Sequence, residues 1–472
     1  MSEFQRTSWL KKSNKSIFPL IATAMVFLLL SFHLDAQTPA QTDLPENVPA
    51  LLVKANEAYA AGDYMTFRRA MQKIRSMRPY NSEYMYQLVI AHALLDEKSA
   101  AYDLMLRMQQ QGLSYDFTAT ESTRNIRNTE VFDYVNDLMK MAGNPIGEAE
   151  AMFTLPADVV MPEAITWDET RQKFLIGAVA DGRIVAVGED GQVEELIKAD
   201  ATNGLWAIFD ILVDSARNRL WVTTAASAKF AGFDAIDKGR SALYEFNLET
   251  LEMIHRYPVP VDGKPHSLGN MVMNPKGDIY IVDRALPLVY SKPAGEKKLK
   301  AMLASREMIS MRGIAMQPDG RIMYVADREL GILVVDLEAG RAGKLAVPDT
   351  LNLAGIEGLS LWENKLVIIQ NGIKPQRVMR LQLDPSGTSV TGVRPLAVAL
   401  PEFDYPSYGI VRGKDLYYFA NSQWGGGKAE LKPVTVVRTP LDSSNDLEQP
   451  DMRDYLRQRG EKLKGQKDST DQ

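Results

Sequence analysis

RGIAMQPDGRIMYVAD (Arg312–Asp327) joins two apolar runs through Pro318-Asp319-Gly320. A Pro-Asp-Gly step between β-prone runs is hairpin chemistry: Pro presets φ, Asp bonds back to the chain, and Gly accepts a positive φ. The same unit recurs on both sides. Upstream, Glu163-Ala-Ile-Thr-Trp-Asp168 leads into KFLIGAV, Phe209-Asp-Ile-Leu-Val-Asp214 into RLWVTTA, and Gly269-Asn-Met-Val-Met-Asn274 into DIYIVDR. Downstream, Glu357-Gly-Leu-Ser-Leu-Trp362 leads into KLVIIQN and Tyr408-Gly-Ile-Val-Arg-Gly413 into DLYYFAN. The units start 46, 60, 43, 45 and 51 residues apart. Each holds a run that is apolar almost throughout, as a strand buried on both faces is, and then a polar-out strand. A period of about 40–50 residues with about four strands per unit marks a β-propeller. Six units predict a mainly β protein, with a six-bladed β-propeller over residues 151–440. Met152-Phe-Thr-Leu155 precedes the first unit and is expected to supply the outer strand of the last blade. That would close the ring and remove its sheet edges.

Residues 50–145 read as helix. Leu51, Leu52, Ala55, Ala58 and Tyr59 recur at helical spacing, as do Phe67, Ala70, Ile74 and Met77. Tyr84, Leu88, Ala91 and Leu95 form a third stripe, and Ala101, Leu104, Met105 and Met108 a fourth. Gly62-Asp63 to Asp96-Glu97 is 34 residues, and Pro79 to Gly112 is 33. That is the tetratricopeptide period, so the segment resembles about two such repeats, with Phe117–Met141 as capping helix. Arrays this short do not bury a continuous core alone, so packing on the capping helix or on the propeller is expected. The segment serves either as a structural cap or as a groove for a partner protein of the cell envelope.

The 472 residues carry a net charge of −6 and include no Cys. Disulfides, thiolate catalysis and Cys-ligated metals are thereby excluded. Four His (His33, His92, His255, His266) leave little for a His-rich metal site. Mild acidity argues against a nucleic-acid partner, which selects a basic face. Arg6, Lys11, Lys12 and Lys15 precede sixteen apolar or small residues, Ile17–Phe32. A membrane span needs about 20. Residues 1–36 therefore read as a signal peptide ending at Leu34-Asp35-Ala36, whose removal leaves no stable membrane span. The expected address is periplasmic or secreted. Residues 37–49 form a polar linker, and the charged residues 441–472 bury too little to pack.

The opening residue of each innermost strand sits at one mouth of a propeller's central tunnel. That column reads Glu163, Phe209, Gly269, Arg312, Glu357 and Tyr408, and the next Ala164, Asp210, Asn270, Gly313, Gly358 and Gly409. Polar groups converging on one axis require solvent, a metal or a ligand. Arg312, Tyr408 and Phe209 are the candidate ligand-binding residues.

PEAITWD (Pro162–Asp168), MNPKGDIYIVD (Met273–Asp283), RGIAMQPDGRIMYVAD and IEGLSLW (Ile356–Trp362) resemble the senescence-marker-protein, gluconolactonase and regucalcin-like family over roughly residues 155–425. The resemblance implies a six-bladed propeller with a divalent cation, often calcium, at the tunnel mouth, and lactone hydrolysis. Glu163 matches the family's first metal ligand, and Glu357 takes the place of its Asp, which suits a hard cation. Arg312 stands where the family has a ligating Asn, and a guanidinium only donates. Asn270 stands where the family has its acid/base Asp. Arg312 is thus placed to neutralise Glu163 and Glu357 as a fixed cation, either as a salt-bridge plug or as a seat for a carboxylate or sugar acid. Asp210, His266 and Asn270 are the candidate catalytic residues, with His266 as a general base on a loop near the mouth. RLWVTTA (Arg219–Ala225) with SALYEFNLETLEMIHRYPVP (Ser241–Pro260) resembles one blade of the royal-jelly/yellow family, six-bladed propellers that mostly bind small molecules. Two functions stand open: a metal-assisted lactone or ester hydrolase, and a non-catalytic module for a small-molecule ligand or another protein. GxxxxGK[ST], HExxH and GxSxG are absent, so nucleotide hydrolysis, zincin and serine-hydrolase chemistry have no support.

Overall fold

The computed structural model of the chain describes residues 47–305, 307–424 and 431–444. The expected signal peptide, and all of the tail beyond residue 444, lie outside the described residues.

Five α-helices come first: α1 (Val48–Ala60), α2 (Tyr64–Met77), α3 (Ser82–Leu94), α4 (Lys98–Gln110) and α5 (Glu130–Met141). The side chains of Asn47, Asp63, Asn81 and Thr129 accept backbone N–H bonds at the starts of α1, α2, α3 and α5, satisfying donors that a helix cannot pair internally. Because Asn47 caps it and Pro49 sits in its first turn, α1 begins inside the stretch expected to be linker. Residues 48 and 82 open α1 and α3, and residues 64 and 98 open α2 and α4, so the two hairpins repeat at the 34-residue offset read from the sequence. No helix among the described residues is long and apolar enough to cross a membrane.

Six antiparallel sheets follow. Their innermost strands are Pro162–Asp168, Ala207–Asp214, Leu268–Met273, Met311–Met316, Ile356–Trp362 and Gly409–Arg412. In each blade the outermost strand is less buried than the second. In the fourth, Ile322–Asp327 is buried throughout, whereas the outermost strand Arg341–Lys344 is exposed throughout. Glu150–Thr154 pairs with Thr435–Pro440, so the chain's first propeller segment takes the outer place of the last blade and closes the ring. The fold is a six-bladed β-propeller. Ile146–Gly147 adds an unforeseen fifth strand to the fifth blade by pairing with Val398 and Ala397.

One apolar cluster fills each of the six junctions between neighbouring blades. Trp167 and Phe174 meet Tyr417 and Phe419 between blades one and six. Trp221 and Tyr257 meet Leu268 and Ile281 between two and three, and Tyr324 meets Leu366 and Met379 between four and five. The core is therefore a ring of wedges around an axial tunnel. The helical segment docks on the upper loops of blades four and five. Ala354 and Ile373 of the propeller complete its apolar core, and Arg78, the residue after α2, pairs with Glu329 at 2.7 Å.

Candidate functional site

Five of the six innermost strands slip register against their neighbour at their first residues: between Pro162 and Ala164, Ile208 and Asp210, Leu268 and Met271, Met311 and Ile314, and Ile356 and Gly358. A bulge leaves a residue unpaired and re-aims its side chain. The residues inside these slips are Glu163, Phe209, Gly269 with Asn270, Arg312 with Gly313, and Glu357. The repeat thus carries a device that turns its opening column onto the axis. Small residues behind it let the strands crowd: a Cβ on Gly313 would stand 2.4 Å from the Cβ of Leu359.

The mouth is a cavity of about 380 Å³ lined by Glu163, Phe209, Arg284, Arg312, Arg328 and Glu357, with Trp424 and Asn371 at its wall. Glu163 accepts from Arg284 Nη1 at 3.1 Å through Oε2 and from the Trp424 indole N–H through Oε1. Glu357 accepts the Tyr408 hydroxyl at 2.5 Å and faces Arg312 Nε at 3.4 Å through Oε1, and takes Arg328 through Oε2. The Arg284 guanidinium lies 4.6 Å from the Phe209 ring centroid, an arrangement that stabilises a desolvated cation. Arg312 also donates to the Met311 carbonyl at 3.0 Å.

Burial pushes the Glu163 carboxyl above its ordinary range, against the pull of Arg284. Burial and then the neighbouring Arg284 charge bring Arg312 down to about 10, and burial and Arg312 do the same to Arg328. Three cations thus crowd one cavity against two carboxylates. Exposure is unequal as well. The side chains of Glu163 and Glu357 are 2% and 10% exposed, whereas Arg284, Arg312 and Arg328 keep 13%, 19% and 28%. A molecule entering the mouth therefore meets more guanidinium than carboxylate surface.

This donor chemistry does not fit a divalent cation. All four oxygens of Glu163 and Glu357 already face N–H or O–H donors, three of them guanidiniums that would repel a metal. Among the described residues no group of three or more His, Cys, Asp or Glu gathers as a ligand set.

Further along the innermost strands lies a second cavity of about 400 Å³ whose lining includes Thr166, Asp210, Asn270, Ser360 and Tyr408. Asp210 Oδ2 accepts the Met271 N–H at 2.8 Å, and burial pushes its carboxyl up to about 7. Asn270 Oδ1 is buried and has no partner.

The sequence-derived candidates therefore divide. Glu163, Phe209, Arg312 and Glu357 share the mouth; Asp210, Asn270 and Tyr408 line the second cavity. His266 belongs to neither, which corrects its placement as a base at the mouth. It is 5% exposed. Its Nδ1 is 2.7 Å from Asp283 Oδ2 and 3.2 Å from the Tyr290 hydroxyl, and its Nε2 is 3.0 Å from Asp262 Oδ1. Both ring nitrogens are engaged, Nδ1 with Asp283 and Nε2 with Asp262.

That aspartate explains a pair of residues the column reading missed. Asp283 Oδ1 accepts the N–H groups of Ser267, Ala285 and Leu286. In the next blade Asp327 accepts those of Ile309, Ser310, Glu329 and Leu330. Each aspartate ties the turn that follows its strand, and the next residue, Arg284 or Arg328, is delivered to the mouth. The Asp-Arg pair recurring in DIYIVDR and RIMYVADR was the available signal.

No protein-family model and no curated protein matches the chain. Solved structures do. A luciferin-regenerating enzyme is 14% identical, with 63% of this chain and 95% of that one covered and a TM-score of 0.44. A gluconolactonase from Xanthomonas campestris is 16% identical, covering 62% and 91% at 0.42. A virginiamycin B lyase from Staphylococcus aureus is 13% identical, covering 63% and 89% at 0.42.

Proposed function

We propose that the propeller is a binding module for a small organic anion, of the carboxylate or sugar-acid class, seated at the axial mouth. The supporting observation is the charge balance there: three guanidiniums and two carboxylates line one cavity, and the guanidiniums keep the greater exposure. Arginine forks match carboxylate geometry with paired hydrogen bonds. The aromatic wall of Phe209 and Trp424 supplies an apolar face for a sugar ring. Export to the periplasm or medium belongs to the same reading, and N-terminal sequencing of the mature protein tests it.

Titration calorimetry with gluconate, glucuronate and uncharged glucose tests the ligand class. The two acids are expected to bind and glucose to fail. Arg312→Gln should weaken the acids by about tenfold or more, because a charge-assisted hydrogen bond contributes roughly 1.5–3 kcal/mol. Calcium should leave the melting temperature unchanged. Equal binding of glucose and gluconate, or a calcium-induced rise in melting temperature lost in Glu357→Gln, would overturn the reading.

One observation favours a second reading. Asp210 lines the tunnel with a carboxyl near 7, the range in which a general base works best at neutral pH. A lactone or ester hydrolase would use it to activate water. Hydrolysis of a lactone panel, lost in Asp210→Asn, would support that reading; no turnover by the native protein removes it.

A further inference from the structure

A cavity of about 490 Å³ lies in the helical segment, away from the axial mouth, between α2, α3 and α4. Arg75 of α2 and Arg107 of α4 reach it, His92 of α3 lines it, and Leu88 and Leu104 give it an apolar floor. The two arginines differ from their neighbours. Arg68 pairs with Glu97, and Arg78 pairs with Glu329. Neither Arg75 nor Arg107 has a side-chain hydrogen bond or ion pair among the described residues. Arg75 is half-buried, and burial together with the charge of Arg107 holds its guanidinium below the usual arginine range. Arg107 is exposed, so the concave surface the two like charges share is desolvated only on the Arg75 side; without a counter-ion they repel each other, and an anion between them removes that cost. The single carboxylate in the lining, Asp103, is exposed and stands beyond ion-pair distance of both. His92 is held in place by Glu97, whose Oε2 lies 2.6 Å from Nδ1.

We infer that the Arg75–Arg107 cavity is a second binding site, for an amphipathic carboxylate whose charged end lies between the two guanidiniums and whose apolar part covers Leu88 and Leu104. The chemistry has two sources: the C-terminal carboxylate of a peptide with an apolar last residue, and a free short-chain fatty acid. Paired arginines select a planar carboxylate. The leucine floor distinguishes this site from the mouth, where the neighbouring surface is aromatic and the ligand is a polyol acid.

Fluorescence anisotropy on the full chain tests it, with a fluorescein-labelled pentapeptide ending in a free leucine carboxylate, its C-terminally amidated form, and octanoate as an unlabelled competitor. The free-acid peptide is expected to bind, and amidation to weaken it about tenfold or more. Arg75→Gln and Arg107→Gln should each weaken binding severalfold, with Arg312→Gln unchanged as the control for the mouth. Competition by octanoate assigns the site to carboxylates of both sources; binding of the peptide without such competition assigns it to chain termini; direct octanoate binding without the peptide assigns it to free acids. Inorganic phosphate should compete poorly, since it has no apolar part. Equal binding of the amidated peptide, full affinity in the Arg75→Gln/Arg107→Gln double variant with native circular dichroism, or no binding of either probe at about 1 mM overturns the inference.

Discussion

Arg377→Met is expected to release the helical segment from the propeller at a cost of about 3 kcal/mol. Arg377 is 2% exposed and faces no carboxylate. Its Nε donates to Gln370 Oε1 at 2.8 Å, its Nη1 to the Gln111 carbonyl at 2.9 Å and its Nη2 to the Asn352 carbonyl at 3.3 Å. Asn352 continues the network by donating to the Tyr80 carbonyl at 2.9 Å and to Gln111 Oε1 at 3.0 Å. Gln111 and Tyr80 belong to the helical segment, and the other groups to the fifth blade and the loop leading into it. The cation is therefore the hub of a dry polar seam. Burial alone brings its guanidinium down to about 10. Methionine fills a similar volume and donates nothing, so Gln370 Oε1 and the Gln111 carbonyl lose their donor where water does not reach. The two parts report separately: every tryptophan among the described residues lies in the propeller, and most of the helix lies in the segment before it. Urea unfolding of the native chain should follow one curve by tryptophan fluorescence and by circular dichroism at 222 nm. In Arg377→Met the dichroism transition should move to lower urea, ahead of the fluorescence. Superimposed transitions at the native midpoint would show that the seam does not depend on this residue.

The fold was legible because a propeller writes its period into the chain. Each blade needs two strands buried on both faces, hence the apolar runs, and tight turns, hence Asp-Gly and Pro-Asp-Gly. Ile146–Gly147 escaped because two residues carry no periodicity; only the neighbouring strand at Val398 defines it as a strand. The mouth was legible only in part. Reading the first residue of each innermost strand located Glu163, Arg312 and Glu357, since the bulges act on that column. Arg284 and Arg328 come from the far end of the second strand and fold back over the mouth, a path set by Asp283 and Asp327 capping the turns. Trp424 arrives from a loop after the strand Asp415–Phe419, with no repeat to mark it. These omissions matter chemically. With Arg312 alone, two carboxylates outnumber the cation and a metal is attractive. With three arginines the balance reverses, and an anion is the complementary ligand. His266 shows the opposite error: its isolation in the sequence suggested a free base, but three polar side chains engage it in space.

Stability should fall as the pH rises from about 4 to about 7, and Asp210→Asn should abolish that part of the fall. Burial raises the Asp210 carboxyl from its ordinary 3.8 to about 7, against the pull of the Met271 and Ile211 N–H groups and Arg284. The folded chain therefore favours the protonated acid. That contribution is fully present below the unfolded value near 4 and is lost as the pH passes through the folded value near 7. Allowing for water in the tunnel, the span is roughly 3 kcal/mol. Asparagine mimics the protonated acid, and its Oδ1 can still accept the Met271 N–H that Asp210 holds at 2.8 Å. Urea midpoints at pH 4.5 and pH 8, at one salt concentration, make the comparison. The variant should match the native protein at the lower pH and exceed it clearly at the higher. Glu163 shifts in the same direction in both proteins and cancels in the difference. Parallel pH profiles for the two proteins would mean that Asp210 is ionised throughout in the tunnel, held so by Arg284. The hydrolase reading would then lose its base, while the anion site at the mouth, which depends on Arg284, Arg312 and Arg328, would be untouched.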